Sequence, residues 1–316
     1  VERYLIPQLG FHRLSKLRVK TVQRAMDVIC GQVVRGGRLI SAGSVSRIRA
    51  VLRSALPEAR RRGIVGHNPA RNLRLPNGAR PHVVVWDDER EAVWRETGVR
   101  PRVSVWDLNN LARFLEAVRD DPLFVLWWLV ALRGPRRGEM AGLRWEDISL
   151  AAGELTIREQ VIVIGAREHI GPPKLAAGVR TLALDEATVT LLWELWHEQR
   201  RRRGGGGPKG RVFVHANGRP VSPDWLTRRF AKLVKHLALP PVGLHDLRHA
   251  AAGLASAAGV DLKMIQHDMG HASPVTTAET YIYVFKKVAK EAVRASAALL
   301  LSHAKVRMSL EGASRA

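Results

Sequence analysis

Cysteine is almost missing from this chain: Cys30 is the only one in 316 residues. An intramolecular disulfide and a thiolate metal cluster are both excluded on that count. Long hydrophobic runs are missing too. PLFVLWWLVAL, residues 122–132, is too short to span a bilayer and reads as a buried helix. No signal peptide is visible; the near-absence of cysteine is the ground on which a cytoplasmic location is expected. The chain starts with Val1 rather than Met, and an N-terminal part is expected to be missing. Acidic residues are few: 29 Asp and Glu stand against 51 Lys and Arg, a net charge of +22 with a pI near 11.3. Such a field contributes nothing to a fold but suits a polyanionic partner.

The basic excess is uneven. Residues 1–80 hold 17 Lys and Arg against 3 Asp and Glu, and the remainder holds 34 against 26. That concentration fits a segment that grips a phosphate backbone; the plainer alternative is an arginine-rich solvated surface. Apolar residues at helical spacing predict one helix over 14–31, capped by Ser15 and stopped by Gly31, and another over 44–62. Pro57 is expected to kink or break the second. Arg47, Arg49 and Arg53 on that helix are candidate DNA backbone contacts. From Asn77 to Val105 periodicity fades, predicting an interdomain linker over 81–106 with a short helix at Asp88–Thr97. Trp86, Trp94 and Trp106 are read as packing residues rather than base-stacking platforms.

Asp107 caps a helix carrying Leu111, Phe114, Leu115 and Val118, and the apolar run after it marks a core helix. Strand-forming residues occupy 154–164 and 180–184. An amphipathic helix covers 185–203, and the pair Asn217-Gly218 marks a turn. A further helix spans Pro223–Leu239, with Arg228, Arg229 and Lys232 as more candidate backbone contacts. Lys286–Leu301 reads as a last, alanine- and leucine-rich helix.

The stretch from Gly243 to Val284 carries the chemistry. His245 and Arg248 are three apart and share a helix face. His271 follows Gly270, a helix stop. Tyr281 comes ten residues after His271. A cation, two imidazoles and a phenol around one anion suit a transesterification with tyrosine as nucleophile. Tyr283 points away by about 200° from Tyr281 on a helix. The pattern H-x-x-R-H, then G-H, then Tyr resembles the C-terminal signature of tyrosine recombinases, the phage integrase family.

The resemblance extends upstream. GPRRGEMAGLRWED, residues 134–147, is similar to the family box that holds the first catalytic arginine, which implies Arg136 in that role and Glu139 as its supporting acid. Pro135 departs from the usual aliphatic residue and places Arg136 near a helix N-terminus. The resemblance also implies a β-hairpin with a catalytic lysine at its tip, Lys174. Leu175 and Gly178 depart from the usual residues there. The implied fold is mainly α with a small β-sheet (α+β). An all-helical DNA core-binding domain (1–80) precedes the linker (81–106) and the catalytic domain (107–316). An arm-binding module, common among integrases, is expected to be absent or removed. The implied partner is double-stranded DNA with attachment-type sites, bound as a homotetramer on paired sites.

In the implied scheme Arg136 and Arg248 hold the phosphate, His271 adds a hydrogen bond, His245 is the base and Lys174 protonates the leaving 5′-oxygen. No metal, ATP or other cofactor is required. Two alternatives stay open. One is a recombinase-like DNA-binding protein without catalysis. The other is a zinc hydrolase using the H-x-x-x-H pairs His245/His249 and His267/His271. Asp246 stands where the metalloprotease motif wants Glu, and Arg248 would set a cation beside the metal. His249 and His267 are expected instead to be packed or surface histidines. Type IB topoisomerases share related chemistry, but a separate basic helical module fits site-directed recombination better.

Overall fold

A computed structural model describes residues 1–34, 37–76, 83–165, 167–173 and 176–270. Lys174, His271, Tyr281, Tyr283 and the helix expected over 286–301 lie outside the described residues. The chain divides into two compact units, Val1–Pro81 and His82–Ala316.

The first unit is helical. It runs α1 (Leu5–Leu9), α2 (Val19–Cys30), a short antiparallel pair β1 (Val33–Val34) and β2 (Arg38–Leu39), then α3 (Ala42–Arg61). Val22, Met26 and Ile29 recur at helical spacing and place one face of α2 in the core. The helix begins later than expected, because Leu14–Lys16 closes a separate 3-10 turn. Ser41 caps α3 by accepting from the Ser44 amide at 3.1 Å. Of the kink or break expected at Pro57, the break does not occur, and α3 continues to Arg61. Proline removes the amide that would bond the carbonyl of Arg53. Asn68 Nδ2 donates to that carbonyl instead, at 3.0 Å, so the orphaned acceptor is satisfied from outside the helix.

The second unit opens with β3 (Val84–Trp86), α4 (Asp88–Thr97) and β4 (Ser104–Trp106). This is the stretch expected as a linker. It holds the expected helix but also a parallel strand pair, with Val85 opposite Val105 and Trp86 opposite Trp106. Burial explains the difference: Trp86 and Trp106 are each 1% exposed and anchor the stretch in the core of this unit. The Trp106 indole also donates to Pro240 O at 2.8 Å.

Next come α5 (Leu108–Ala117), capped by Asp107 as expected, and α6 (Phe124–Arg133), buried on nearly every face. Phe114, Trp127 and Phe230 meet at ring distances of 5.3–6.4 Å in the centre of this core. Then follow α7 (Arg137–Gly142), β5 (Ile148–Ser149), β6 (Glu154–Ile157), β7 (Gln160–Ile164), β8 (Arg167–Gly171) and β9 (Arg180–Ala183). The order β5-β6-β9 makes a small antiparallel sheet, and β7 with β8 makes a separate hairpin. The run 154–164 forms two strands, β6 and β7. The hairpin turns at Gly165, where φ is +55°. Four helices complete the described unit: α8 (Glu186–Arg202), α9 (Pro223–His236), α10 (Leu244–Ala257) and α11 (Leu262–Met269). The whole is mainly helical with small sheets, an α+β chain.

Candidate active site

Arg136 sits where a core helix has ended and another begins. Gly134 ends α6 in the left-handed region at φ +63°, and Arg136 is the extended residue that caps α7. Its amide donates to Glu139 Oε2 at 2.8 Å, and its Nη1 donates to Glu139 Oε1 at 2.7 Å. The carboxylate is fully buried. Two glycines allow α7 to lie directly on β7. A Cβ at Gly138 would stand 2.5 Å from Val161 O, and one at Gly142 would stand 2.9 Å from Glu159 O.

A second guanidinium shares this carboxylate. Arg180, at the start of β9, donates through Nη2 to Glu139 Oε2 at 2.9 Å and through Nη1 to Oε1 at 3.2 Å. Its Nη1 also donates to Gly178 O at 2.9 Å and its Nε to Asp268 O at 2.6 Å. Burial pushes the Glu139 pKa up, but the bonds and charge of Arg180, then those of Arg136, outweigh it and hold the carboxyl below the usual range. Removing one partner from a buried pair of this kind costs about 3–5 kcal/mol, since the other charge is left uncompensated. Sequence reasoning missed Arg180. Its signal was a charged residue on the face of a strand whose other inward position, Leu182, is apolar.

Arg248, on α10, is 3% exposed. It donates to Gly134 O at 2.6 Å and to Met269 O. Arg136 Nη2 donates to the next carbonyl, Gly270 O, at 3.0 Å. Three successive carbonyls at the end of α11, those of Asp268, Met269 and Gly270, are therefore held by three different arginines. A helix C-terminus presents such unpaired carbonyls and the negative end of its dipole, which attract cations. Gly270 turns the chain at φ +57°, and a Cβ there would lie 3.0 Å from Arg180 Nη1.

His245 lies one turn before Arg248, at the mouth of a cleft of about 620 Å³ also lined by Arg136, Arg248, Gln160, Val163 and Thr227. Its ring reaches solvent yet is flanked by protein. Loss of hydration, then the charges of Arg248, Arg136 and Arg137, lower its pKa and favour the neutral imidazole. The His249 ring meets it edge-on at 5.2 Å. Loss of hydration, then His245 and Arg248, bring the His249 pKa down to about 4. Asp246 caps α10 by accepting from the Gly243 amide at 2.7 Å, and burial raises its pKa.

The cleft thus brings Arg136, Arg248 and His245 together with Glu139 behind them. Lys174, His271 and Tyr281 lie outside the described residues; in sequence His271 directly follows Gly270. Among the backbone-contact candidates, Arg47 and Arg53 are exposed on α3, and Arg49 leans on Arg71 O at 3.4 Å. Arg228 and Lys232 are exposed one turn apart on α9. Arg229 instead pairs with the buried Asp121 at 2.6 Å, a structural engagement that the sequence pattern did not show. His267 is a surface residue beside Asp268. Among the described residues no group of three His, Cys, Asp or Glu is arranged to hold a metal, and no helix is long and apolar enough to cross a membrane.

Residues 107–287 match the model of the phage integrase family, which is more than half of the chain. The chain belongs to the phage integrase family. This integrase-family chain is 27% identical over 202 residues to a XerC-like tyrosine recombinase of Caldanaerobacter subterraneus, covering 58% of this chain and 51% of that protein. It is 25% identical over 259 residues to the ICEBs1 integrase of Bacillus subtilis, covering 80% and 64%. The chain spans about half to two thirds of the length of these relatives. Among solved structures, the Tn1549 transposon integrase in complex with transposon right end DNA aligns with a TM-score of 0.65 at 18% identity, covering 92% of this chain and 89% of that one. A lambda integrase dimer bound to a core site aligns at 0.57 and 18% identity, covering 89% and 85%. At such identities the likeness is one of fold, and the fold is that of an integrase catalytic domain with a helical domain before it.

Proposed function

We propose that this chain is a site-specific recombinase that cuts and rejoins DNA strands through a 3′-phosphotyrosine formed at Tyr281. The observation that carries the reading is the meeting of Arg136, Arg248 and His245 in one cleft, beside the helix end that leads into His271. A DNA phosphodiester is anionic and repels nucleophiles. Two guanidinium groups offset that charge, so the scheme needs no metal ion and no ATP. Arg136 is about a third exposed and keeps N–H groups beyond those that hold Glu139 and Gly270, so it can reach a nonbridging oxygen.

The Tyr281 oxygen attacks phosphorus and its proton passes to the neutral imidazole of His245. The bond from phosphorus to the 5′-oxygen breaks, and Lys174 supplies the proton to that oxygen. His271 donates to the phosphate. The 5′-hydroxyl of a second strand then reverses the step and releases the tyrosine. The helical first unit grips the DNA backbone through Arg47, Arg49 and Arg53, and the second unit adds Arg228 and Lys232. The working assembly is a tetramer on two paired duplex sites.

The test is covalent trapping on DNA that flanks the gene, where attachment-type repeats are to be sought. The wild-type chain should give a protein–DNA adduct that persists in excess EDTA. Tyr281→Phe should bind the same DNA and give none. An adduct that survives in Tyr281→Phe and vanishes in Tyr283→Phe would move the nucleophile. No adduct from the wild-type chain, with binding intact, would leave a DNA-binding protein without catalysis.

A further inference from the structure

Arg180 is absent from the set of groups that the proposed reaction employs, yet its guanidinium is heavily bonded beside the cleft. Its side chain is 1% exposed, and it spans four acceptors on three separate parts of the unit. Glu139 Oε1 and Oε2 lie on α7, Gly178 O lies in the turn before β9, and Asp268 O lies in the last turn of α11. A planar fork with five donors can satisfy such a set in one orientation; a lysine ammonium cannot. Each acceptor group has a consequence for the cleft. Glu139 holds Arg136 by its amide and by its Nη1. Asp268 begins the run of three carbonyls whose other two are bonded to Arg248 and Arg136. Gly178 ends the short stretch that follows Lys174 in the chain.

We infer that Arg180 is a positioning residue for strand cleavage. It fixes the Glu139 carboxylate and the end of α11 relative to one another, and so sets where the Arg136 guanidinium meets the scissile phosphate. The inference rests on the proposed recombinase function. It adds a residue that touches no substrate and acts through Glu139 and Arg136. Arg180 donates to both oxygens of Glu139 from a guanidinium that is itself buried, whereas the Arg136 side chain reaches one of them and is partly exposed. The glycine at 270 agrees with this, because a side chain there would press on Arg180 Nη1 and on Ala177 O.

The test compares wild type, Arg180→Lys and Arg180→Gln for thermal midpoint, affinity for the DNA site and single-turnover rate of adduct formation. Arg180→Lys should fold, bind DNA as wild type does and cleave about tenfold slower, because a point charge cannot hold all four acceptors. Arg180→Gln should be slower by about a hundredfold, the scale of a misplaced group in a reacting cleft. A second substrate carries a neutral methyl group in place of one nonbridging oxygen at the scissile phosphate. Less negative charge then needs Arg136, so the gap between wild type and Arg180→Lys should narrow severalfold. A role confined to holding the fold together would not respond to charge on the DNA. Wild-type cleavage speed in Arg180→Lys, or an undiminished gap on the neutral substrate, would overturn the inference. If Arg180→Gln does not fold, the lysine variant alone decides. Absence of any adduct from the wild-type chain would instead count against the recombinase function itself.

Discussion

His249 shows how one side chain beside the cleft ties its protonation to the fold. It packs against His245 and next to Arg248, where a charged imidazole is unwelcome, and its pKa falls from 6.5 to about 4. In the unfolded chain it takes up a proton near its ordinary value. The unfolded state therefore binds more protons than the folded one between pH about 6.5 and about 4. Stability associated with His249 is intact above that window and is lost as the pH falls through it, with His245 acting in the same sense. The thermal midpoint of the wild-type chain should drop across this range, and His249→Gln should flatten part of the drop. A midpoint that falls equally in both proteins would place the acid sensitivity elsewhere. The roles of Arg136, Glu139 and Arg248 differ in kind: the two guanidinium groups meet carboxylate or carbonyl oxygens, the carboxylate meets N–H donors, and removing one leaves its buried partner exposed to the full penalty.

At the scale of elements, the contact of α7 with β7 decides where Arg136 points. α7 has only six residues, and two of them, Gly138 and Gly142, have no side chain to hold the helix off the strand. Gly138→Ala would drive a methyl group to within 2.5 Å of Val161 O. Backbone cannot yield as a flexible side chain does, so α7 should shift, at a cost of about 1–3 kcal/mol. Arg136 caps that helix and should move with it. Thermal unfolding should show the loss of stability, and single-turnover cleavage should fall further than stability alone explains. Retention of wild-type rate and midpoint would mean that α7 has room the geometry does not show. α3 behaves in the opposite way, since a helix with proline in its last turn continues because Asn68, from outside it, takes the place of the missing donor.

At the scale of the whole molecule, the two compact units differ in charge as well as in size. The first 80 residues carry few acids, and Arg47 and Arg53 stand exposed on α3. Each phosphate contact releases condensed counterions and steepens the fall of affinity with salt. A chain lacking residues 1–81 should bind DNA more weakly, with a log–log salt slope shallower by about 2–3, one for each arginine contact removed. Fluorescence anisotropy across a salt series on both chains measures this. Equal slopes would return the arginines of α3 to an ordinary solvated surface. Residues 82–316 alone should still form the Tyr281 adduct at low salt with DNA in excess, because every group of the proposed chemistry lies in them.

Much of this molecule is legible in its residues alone. Helix ends can be read at Asp107 and Gly270, since a cap acts through a hydrogen bond or a backbone angle within three or four residues. The box around Arg136 and the spacing of His245 and Arg248 place them at a helix start and on one helix, and both came to the same cleft. What the sequence by itself determined was local: which residues cap, which face of a helix is apolar, which motif spacing occurs. Tertiary structure alone decided which distant acceptor each buried donor found. Asn68 met Arg53 O, Arg229 met Asp121, and Arg180 met Glu139 across 41 residues of chain. A buried polar group must be paired, and that requirement does not say with whom. The choice falls to whatever the packing of helices and strands brings within about 3 Å. For this chain the packing set three arginines on three successive carbonyls at the end of α11.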